Sequence, residues 1–593
     1  MKRIKLDSKT LYYGAIAVLF LYAFRNVYQG IDVTDTGYHF SNFLYMSEMD
    51  PMWIFSTYLA SILGHIFTLL PGGDTLLGMN IYTAVIPAVL GVCTYAFFVK
   101  VIKAGKLESF VGVLVALSLC WCPTTCLYNY MTYLFFGLGA MFLYKGLAED
   151  KRWHLVIAGV CLGLNVMVRF PNIAEAALIL VVWYTCFLHK RKFKEYLQKT
   201  GWCLLGYILG IGVVLLQIQF KYGIGEYVNG ILRLFGMTDS ASDYTAYSMV
   251  YNIIQAYLYS AKWFVIIAVC VVLGIIGFMI LPGKFTKIKA VGYFACCLVL
   301  VRWLYGQGMF NLVFPQEGYD AILNWGVVFL ITAIVSSVYL IVHPKAERGE
   351  KILAAIVLIV IGITPLGSNN QLYSNLNNMF LVLPFVLHFL RKRLSKAETF
   401  LIRIGKIGFS PSKLPLCIMS LVCVGVLCFQ AISFGNTFIF RDNRPRTYEV
   451  TSIEALKHMK TNEANAERLN ALGEYVEGHN LSGRSVLLYG DVPALSAYLR
   501  MPFVMSPWPE LPSYSAETFE TELKAVVDGL EENRPVIILS QKFYNFLTSL
   551  EENVRDTDYF KTNDGFKLTL LREMIQENNY KVTFENEGYV IFE

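Results

Sequence analysis

Charged residues are scarce in this chain. Of its 593 residues only 16% are Asp, Glu, Lys or Arg, whereas 55% are hydrophobic, and the mean hydropathy is +0.49. A water-soluble protein of this length could not bury so much apolar surface. The scarcity of charge therefore excludes a soluble globular fold and predicts a chain that folds in a lipid bilayer.

Cysteine is absent from the last part of the chain. All thirteen cysteines precede Gln430 and are scattered through apolar runs, so no disulfide framework is expected. Cys120, Cys122 and Cys126 lie close together, but no neighbouring His or fourth thiol completes a tetrahedral metal set. We expect no zinc site at this position.

Nucleic-acid binding is also excluded by the distribution of charge. The net charge is +6, but the basic residues form short clusters between apolar runs rather than one basic face. From residue 436 onward, about 25 acidic residues outnumber about 16 basic ones. Nucleic acid is therefore not an expected partner of this chain.

The apolar runs predict a polytopic α-helical membrane protein with about thirteen transmembrane helices. A basic N-terminus precedes the first run without a small-residue cleavage site after it, so this run is predicted to remain as an uncleaved first span. Alternate loops carry Lys and Arg clusters, which places them and the N-terminus in the cytoplasm. The predicted runs are residues 11–28, 78–101, 108–127, 130–147, 153–169, 173–189, 202–220, 262–281, 290–305, 321–342, 351–365, 376–390 and 415–434.

Two domains follow from this pattern. Residues 1–435 form the transmembrane module, whose long first outer loop, residues 29–77, contains an apolar stretch at 53–70. Counting that stretch as a crossing would invert every later loop against the basic clusters, so we interpret it as an interfacial helix. Residues 436–593 are predicted to be a soluble extracytoplasmic α/β domain, with strands near 485–489 and 535–539, a helix near 516–530 and a closing hairpin at 580–592.

Acidic and aromatic residues follow the first span closely. Asp32, Asp35, Tyr38 and His39 lie within eight positions at the predicted outer surface. A carboxylate there can act as a general base toward a hydroxyl group, or it can bind a divalent cation. The alternative interpretation is an ordinary polar loop that requires solvation.

This loop resembles part of a known family. Asp35-Thr36-Gly37-Tyr38-His39 is similar to the Asp-Glu-x-Tyr signature in the first outer loop of GT-C type glycosyltransferases, which include the protein O-mannosyltransferase and aminoarabinose transferase group. The resemblance implies a GT-C-like fold and makes Asp35 the catalytic base, with Asp32 beside it. Thr36 stands where the family usually has Glu, which leaves a divalent metal ion open as a cofactor.

Two further stretches extend the resemblance over most of the chain. Gly163-Leu164 followed by Arg169-Phe170-Pro171 is similar to a Gly-Leu…Arg-x-Pro hallmark of the family at an outer helix turn. Residues 485–499, with Tyr489-Gly490-Asp491 and Pro493, resemble the start of its soluble domain. The order of these motifs is more specific than any one of them.

Four further residues are candidates for substrate binding. Arg169 could clamp the phosphate of a lipid donor, and its alternative roles are interfacial snorkelling or an ion pair with Glu175. Arg302, within an apolar run, has the same two interpretations as a clamp or an interfacial residue. Glu317 and Asp320 in the following outer loop are candidate acceptor contacts, as are Tyr38 and His39.

The function that this resemblance implies is transfer of a sugar, with inversion, from a polyprenyl-phosphate donor to a glycan, lipid or protein acceptor on the outer face of the membrane. A transporter or flippase of lipid-linked saccharides is one alternative, but such proteins usually show internal repeats, and we find none. A polysaccharide polymerase or ligase is the other. Such an enzyme would be expected to concentrate its essential residues in a large later loop rather than in the first one.

Overall fold

The computed structural model describes most of the chain and is predominantly helical. It describes residues 8–120, 128–237, 246–281, 285–315, 319–367, 370–394, 402–404, 407–409, 412–511, 513–551 and 554–593. The helices of the membrane module are α1 (Ser8–Tyr22), α2 (Asp35–Leu44), α3 (Met52–Phe55), α4 (Tyr58–Thr68), α5 (Leu76–Ala96), α6 (Lys106–Leu119), α7 (Tyr128–Ala148), α8 (Arg152–Val168), α9 (Ile179–Leu188), α10 (Phe193–Lys221), α11 (Ile224–Gly236), α12 (Ala246–Ile280), α13 (Thr286–Gly306), α14 (Asp320–Val342), α15 (Arg348–Ile363), α16 (Tyr373–Asn377), α17 (Val382–Leu394) and α18 (Leu414–Thr437). A short antiparallel hairpin, β1 (Ile402–Ile404) and β2 (Ile407–Phe409), precedes α18.

The prediction of a multi-pass membrane protein is confirmed. Eight helices in the described residues are long and apolar enough to cross a bilayer. The runs predicted near 11–28, 153–169, 351–365 and 376–390 correspond to α1, α8, α15 and α17, which have 13 to 17 residues each. The run predicted near 108–127 corresponds to α6, which has 14 residues, and its last part lies outside the described residues. The number of thirteen crossings therefore stays a prediction. The eight segments are Leu76–Val101, Tyr128–Ala148, Phe170–Leu188, Phe193–Lys221, Tyr247–Ile280, Thr286–Gly306, Asp320–Val342 and Leu414–Thr437.

The apolar stretch at 53–70 forms two separate helices. It divides into α3 and α4, and α4 has 11 residues. At 1.5 Å per residue, α4 is about 16 Å long, roughly half the thickness of the hydrocarbon core. This length agrees with the prediction that residues 53–70 do not cross the membrane.

Glycines allow α8 to approach α10 closely. A Cβ atom added to Gly159 or Gly163 would lie 2.0 or 2.2 Å from a backbone oxygen of α10, and Gly206 and Gly210 of α10 face the backbone of α8 in the same way. Both pairs have the small-xxx-small spacing that brings membrane helices together. This packing fixes α8, whose last turn leads directly into Arg169.

The C-terminal domain is the predicted α/β domain. Its four-stranded sheet has the order β5-β6-β8-β7, in which β5 and β6 are parallel and the other neighbours antiparallel. The predicted strands, helix and hairpin are confirmed as β5, β6, α21 and the β7–β8 pair. Its strands are β3 (Tyr448–Glu449), β4 (Lys460–Thr461), β5 (Val486–Tyr489), β6 (Val536–Ser540), β7 (Val582–Glu585) and β8 (Tyr589–Phe592), and its helices are α19 (Glu463–Gly478), α20 (Ala494–Leu499), α21 (Ala516–Asp528), α22 (Gln541–Ser549) and α23 (Asn563–Glu577).

Local capping explains where several of these helices begin. The side chains of Asn462, Ser515 and Thr562 each accept a hydrogen bond from a backbone amide three residues later. These side-chain oxygens satisfy donors that the first helical turn leaves unpaired. The helix predicted near 516–530 begins immediately after Ser515 for this reason.

Helix α2 of the first outer loop packs against α20 of the C-terminal domain. A Cβ atom on Gly37 would lie 1.9 Å from the Cβ atom of Ala494 and 2.3 Å from its Cα atom. The hydroxyl of Ser41 donates to the carbonyl oxygen of Pro493 at 2.8 Å. This contact joins the first outer loop to the soluble domain without an intervening side chain at Gly37.

We expect Gly37→Ala to weaken this junction. The added methyl group cannot fit unless α2 and α20 move apart, a change that typically costs about 1–3 kcal/mol. Thermal unfolding of the purified protein in detergent, followed by tryptophan fluorescence, should show a lower midpoint. Gly212→Ala is the matched control, because a Cβ atom there meets nothing within 4 Å. An unchanged midpoint for Gly37→Ala would contradict the close approach.

Candidate functional site

Asp32 organises the turn that starts α2. The side chain is 5% exposed, and its Oδ1 atom accepts hydrogen bonds from the amide and hydroxyl of Thr34 at 2.9 and 2.6 Å. Its Oδ2 atom accepts from the amide of Thr36 at 2.8 Å. Both oxygens are thus engaged within the turn, which suits a positioning role better than proton transfer.

Asp35 has a different environment three residues later. It is the first residue of α2, and its side chain is 37% exposed. Burial and the neighbouring charge of Asp32 raise its pKa to about 6, with a smaller contribution from Asp491, while Arg441 opposes the shift. Arg441 Nη2 lies 3.7 Å from Asp35 Oδ2. A carboxylate with a pKa near the ambient pH is well suited to accept a proton from a hydroxyl group.

A line of rings connects α2 to Arg169. His39 lies one helical turn after Asp35, and its ring centroid is 5.8 Å from that of Tyr128 at the start of α7. The guanidinium carbon of Arg169 lies 5.0 Å from the centroid of the same Tyr128 ring, and Arg169 also donates to the carbonyl oxygen of Gly367. Burial lowers the pKa of His39 to about 4, so its imidazole is neutral at pH 7. The predicted base and the predicted phosphate clamp are therefore linked through the rings of His39 and Tyr128.

Arg169 lines a small polar cavity. The walls come from α7, from the 3₁₀ segment after α8, from the end of α15 and from α16. Glu175 also lines this cavity, but its Oε2 atom accepts from Asn165 Nδ2 at 2.7 Å. The ion pairs of the described residues include none between Arg169 and Glu175. The polar residues of the cavity are Asn129, Thr132, Arg169, Asn172, Glu175, Thr364, Ser374 and Asn378.

The other predicted site residues lie elsewhere or outside the described residues. Arg302 is exposed on α13, with its guanidinium carbon 5.6 Å from the centroid of the Tyr305 ring. Asp320 begins α14 and is hydrogen-bonded to Tyr373. Glu317 lies outside the described residues. None of the contacts described for Arg302 or Asp320 reaches Asp35.

Tyr38 takes part in an aromatic contact with the C-terminal domain. Its ring centroid lies 5.7 Å from that of Trp508, and its hydroxyl is hydrogen-bonded to Asn42. Burial raises the pKa of this phenol, which therefore stays protonated at neutral pH. Tyr38 is consequently part of the wall between α2 and the soluble domain.

Sequence analysis alone did not identify two charged residues at this site. Arg441 follows the last transmembrane helix, and Asp491 follows strand β5. The Tyr489-Gly490-Asp491 stretch carried part of the family resemblance, but nothing in its spacing connects it to a loop more than 450 positions earlier. The tertiary structure brings Arg441 Nη2 to 3.7 Å from Asp35 Oδ2 and brings Asp491 close enough for its charge to raise the pKa of Asp35.

The residues at this site do not assemble a metal-binding set. Within the described part of the chain, no group of three or more His, Cys, Asp or Glu side chains is placed to hold a metal ion. Asp32 already accepts three hydrogen bonds, and Thr36 replaces the family's second acid. The reaction proposed for this site therefore uses protein side chains and no metal ion.

Comparison with solved structures returns membrane glycosyltransferases at low identity. The Archaeoglobus fulgidus oligosaccharyltransferase tethered to an acceptor peptide matches with a TM-score of 0.47 and 13% identity, covering 99% of this chain and 74% of that one. ArnT from Cupriavidus metallidurans, bound to undecaprenyl phosphate, matches with a TM-score of 0.37 and 13% identity, covering 98% and 97%. Both are GT-C glycosyltransferases, the class that the sequence motifs resemble. At these scores the likeness carries no argument about activity or substrate.

Comparison by sequence returns nothing. No protein-family model matches the chain, and no curated protein does.

The raised pKa of Asp35 can be tested without any substrate. Carbodiimides modify protonated carboxyl groups, so labelling of Asp35, measured by peptide mass spectrometry, should decrease as the pH rises, with a midpoint of about 6. Arg441→Gln removes a charge that favours the carboxylate, and the midpoint should increase by up to about 1 unit. Arg500→Gln, which breaks an ion pair with Asp74 instead, serves as the control. A midpoint near 4 in the wild type would contradict the proposed environment.

Proposed function

We propose that this chain is a GT-C type glycosyltransferase that moves a sugar from a polyprenyl-phosphate donor to a hydroxyl group of a glycan, lipid or protein acceptor. The observation that supports this proposal is the series of ring contacts from His39, one turn after Asp35, through Tyr128 to Arg169. The transfer needs a base for the acceptor and a cation for the departing phosphate. Asp35 and Arg169 supply both.

The reaction proposed is a single displacement. Asp35 accepts the proton of the acceptor hydroxyl group while the oxygen of that hydroxyl group forms a bond to the anomeric carbon of the sugar. The bond between that carbon and the phosphate oxygen breaks, and its electron pair leaves with the polyprenyl phosphate. Attack from the side opposite the phosphate inverts the anomeric configuration.

Asp32 supports this step indirectly. Its carboxylate accepts hydrogen bonds that hold the turn at the start of α2, and its negative charge helps to raise the pKa of Asp35. A stronger base at this position would be protonated at neutral pH, whereas an unperturbed carboxylate would accept the hydroxyl proton poorly. Asp32 is therefore proposed as the positioning residue and Asp35 as the base.

Arg169 is proposed to bind the phosphate of the donor. A planar guanidinium can form two parallel hydrogen bonds with phosphate, and charge stabilisation of the leaving group is often a large contribution to catalysis. Asn172 and Thr364 of the cavity wall already donate to protein oxygens, so Arg169 is the cavity residue proposed to bind the phosphate. Arg302 and Asp320 stay outside this proposed core.

The orientation in the membrane is also a proposal. The Lys and Arg clusters of alternate loops support a cytoplasmic N-terminus, which would place the first outer loop and the C-terminal domain on the opposite face. The packing of α2 against α20 requires these two parts to share one compartment. Transfer would then occur on the extracytoplasmic face.

Loss of transfer in Asp35→Asn is the central test. Purified protein should release labelled sugar from a panel of synthetic polyprenyl-phosphate monosaccharides, either to water or to an added acceptor. Asp35→Asn keeps the shape of the side chain but removes the base, and kcat should decrease about 10²- to 10⁴-fold. The acid limb of the pH–rate profile of the wild type should lie near pH 6.

Asp74→Asn is the matched control for this experiment, because Asp74 is a half-exposed carboxylate of the same loop paired with Arg500. Its turnover should equal that of the wild type. Unchanged turnover in a folded Asp35→Asn protein would eliminate Asp35 as the base. Donor binding without turnover by the wild type would contradict the enzyme and favour a transporter.

Replacing Arg169 by Gln and replacing Arg302 by Gln should have clearly different effects on kcat for donor turnover. Arg169→Gln removes the cation beside Tyr128 and should lower kcat for donor turnover by at least about tenfold, because developing phosphate charge loses its partner. Arg302→Gln, on the exposed face of α13, should leave kcat close to wild type. The measurement is turnover of the same labelled donor under saturating conditions. Equal losses in both variants would contradict the assignment of Arg169.

A further inference from the structure

The loop that carries Asp491 is bonded to the loop that carries Asp35. The amide of Ala494 donates to the carbonyl oxygen of Val33 at 3.0 Å, and the carbonyl oxygen of Pro493 accepts from the Ser41 hydroxyl at 2.8 Å. In the first loop the bonded residues Val33 and Ser41 lie on either side of Asp35, and in the second loop Pro493 and Ala494 follow Asp491. The two carboxylates are therefore held on adjoining loops by backbone contacts.

Asp491 is kept in an unusual backbone conformation. Its φ angle is +61°, and the preceding Gly490 has a φ angle of +106°. Positive φ angles are uncommon outside glycine, although Asp and Asn tolerate them better than most residues. Such conformations persist where the surrounding structure stabilises them, often at functional sites.

Glu510 stabilises this conformation. Its Oε1 atom accepts hydrogen bonds from the amides of both Gly490, at 2.8 Å, and Asp491. The side chain is buried, and this burial raises the pKa of Glu510 to about 8, so it is largely neutral at pH 7. By accepting from both amides, the buried carboxyl group of Glu510 fixes the backbone from which the Asp491 side chain projects.

The Asp491 carboxylate has one oxygen engaged and one oxygen open. Its Oδ1 atom accepts from the indole nitrogen of Trp508 at 3.0 Å, and Trp508 in turn packs against Tyr38 of α2. No hydrogen bond in the described part of the chain engages its Oδ2 atom. A purely structural role for Asp491 accounts for the contact with Trp508. Such a role does not explain why a second carboxylate lies where its charge raises the pKa of Asp35.

We propose that Asp491 is a second carboxylate of the transfer site, supplied by the C-terminal domain, and that it binds an acceptor carrying two neighbouring hydroxyl groups, as a sugar ring does. Asp35 takes the proton of the attacking hydroxyl, and Asp491 Oδ2 accepts a hydrogen bond from the adjacent one. Glu510 acts as a positioning residue for Asp491. This inference rests on the proposed glycosyl transfer.

The test compares two reactions of one labelled polyprenyl-phosphate sugar. Hydrolysis uses water as acceptor, whereas glycosyl transfer uses methyl glycosides with vicinal hydroxyl groups. Asp491→Asn tolerates the positive φ angle and retains an acceptor for Trp508. It should raise the KM for a methyl glycoside about ten- to a hundredfold, the effect of losing a hydrogen bond to a charged group. Hydrolysis should continue, with its acid limb shifted to lower pH because Asp35 loses a neighbouring like charge. Asp35→Asn should lose both reactions.

Two Glu510 variants separate positioning from stability. Glu510→Gln keeps a carbonyl-type oxygen for the two amides and should behave like the wild type, whereas Glu510→Ala should raise the acceptor KM as Asp491→Asn does. Asp558→Asn, at a 95% exposed carboxylate of the same domain, is the control and should change neither reaction. An Asp491→Asn protein with a wild-type acceptor KM would overturn the inference.

A substrate-based measurement covers the case in which Asp491→Asn does not fold. Wild-type protein should show the same increase in KM for the deoxy glycoside that lacks the adjacent hydroxyl group, and no transfer to the one that lacks the attacking hydroxyl group. Equal KM values for the parent and the acceptor without the adjacent hydroxyl group would also overturn the inference. If the wild type turns over no donor at all, the proposed function fails first, so the two failures are distinguishable.

Discussion

Backbone hydrogen bonding between the first outer loop and the C-terminal domain is the interaction on which the rest of the site depends. The amide of Gly30 donates to the carbonyl oxygen of Lys460, the amide of Lys460 donates to the carbonyl oxygen of Tyr28, and the amide of Ala494 donates to that of Val33. Buried backbone groups without partners are costly. Each side supplies the partners that the other needs, so the loop takes its position only when the domain is docked.

Two aspartates of this loop show how environment separates identical side chains. Asp32 is saturated by hydrogen bonds from its own turn, whereas Asp35 is partly exposed between a like charge and Arg441. The first arrangement holds a carboxylate in place, and the second leaves one free to exchange a proton. The distinction depends on a few ångströms of backbone geometry, and the spacing of the residues does not reveal it.

The sequence was informative wherever a pattern has a single physical cause. The apolar runs predicted a membrane protein, since no aqueous fold could bury them, and two short continuous apolar runs predicted the buried strands β5 and β6. Arg169 was also identified correctly as a residue at a helix end, because it follows the last turn of α8. Several apolar runs correspond to helices of 13 to 17 residues, for which length alone does not decide a crossing.

The sequence by itself determined the membrane setting, the two-domain order and the acidic cluster of the first outer loop, because these follow from local composition and periodicity. Only the tertiary structure decided that Asp35 rather than Asp32 is available for proton transfer, that Arg302 lies apart on an exposed helix face, and that Arg441 and Asp491 face Asp35. The positions of Arg441 and Asp491 relative to Asp35 depend on contacts between segments more than 400 residues apart. No local pattern records such contacts, since they arise from packing of α2 against a domain at the other end of the chain.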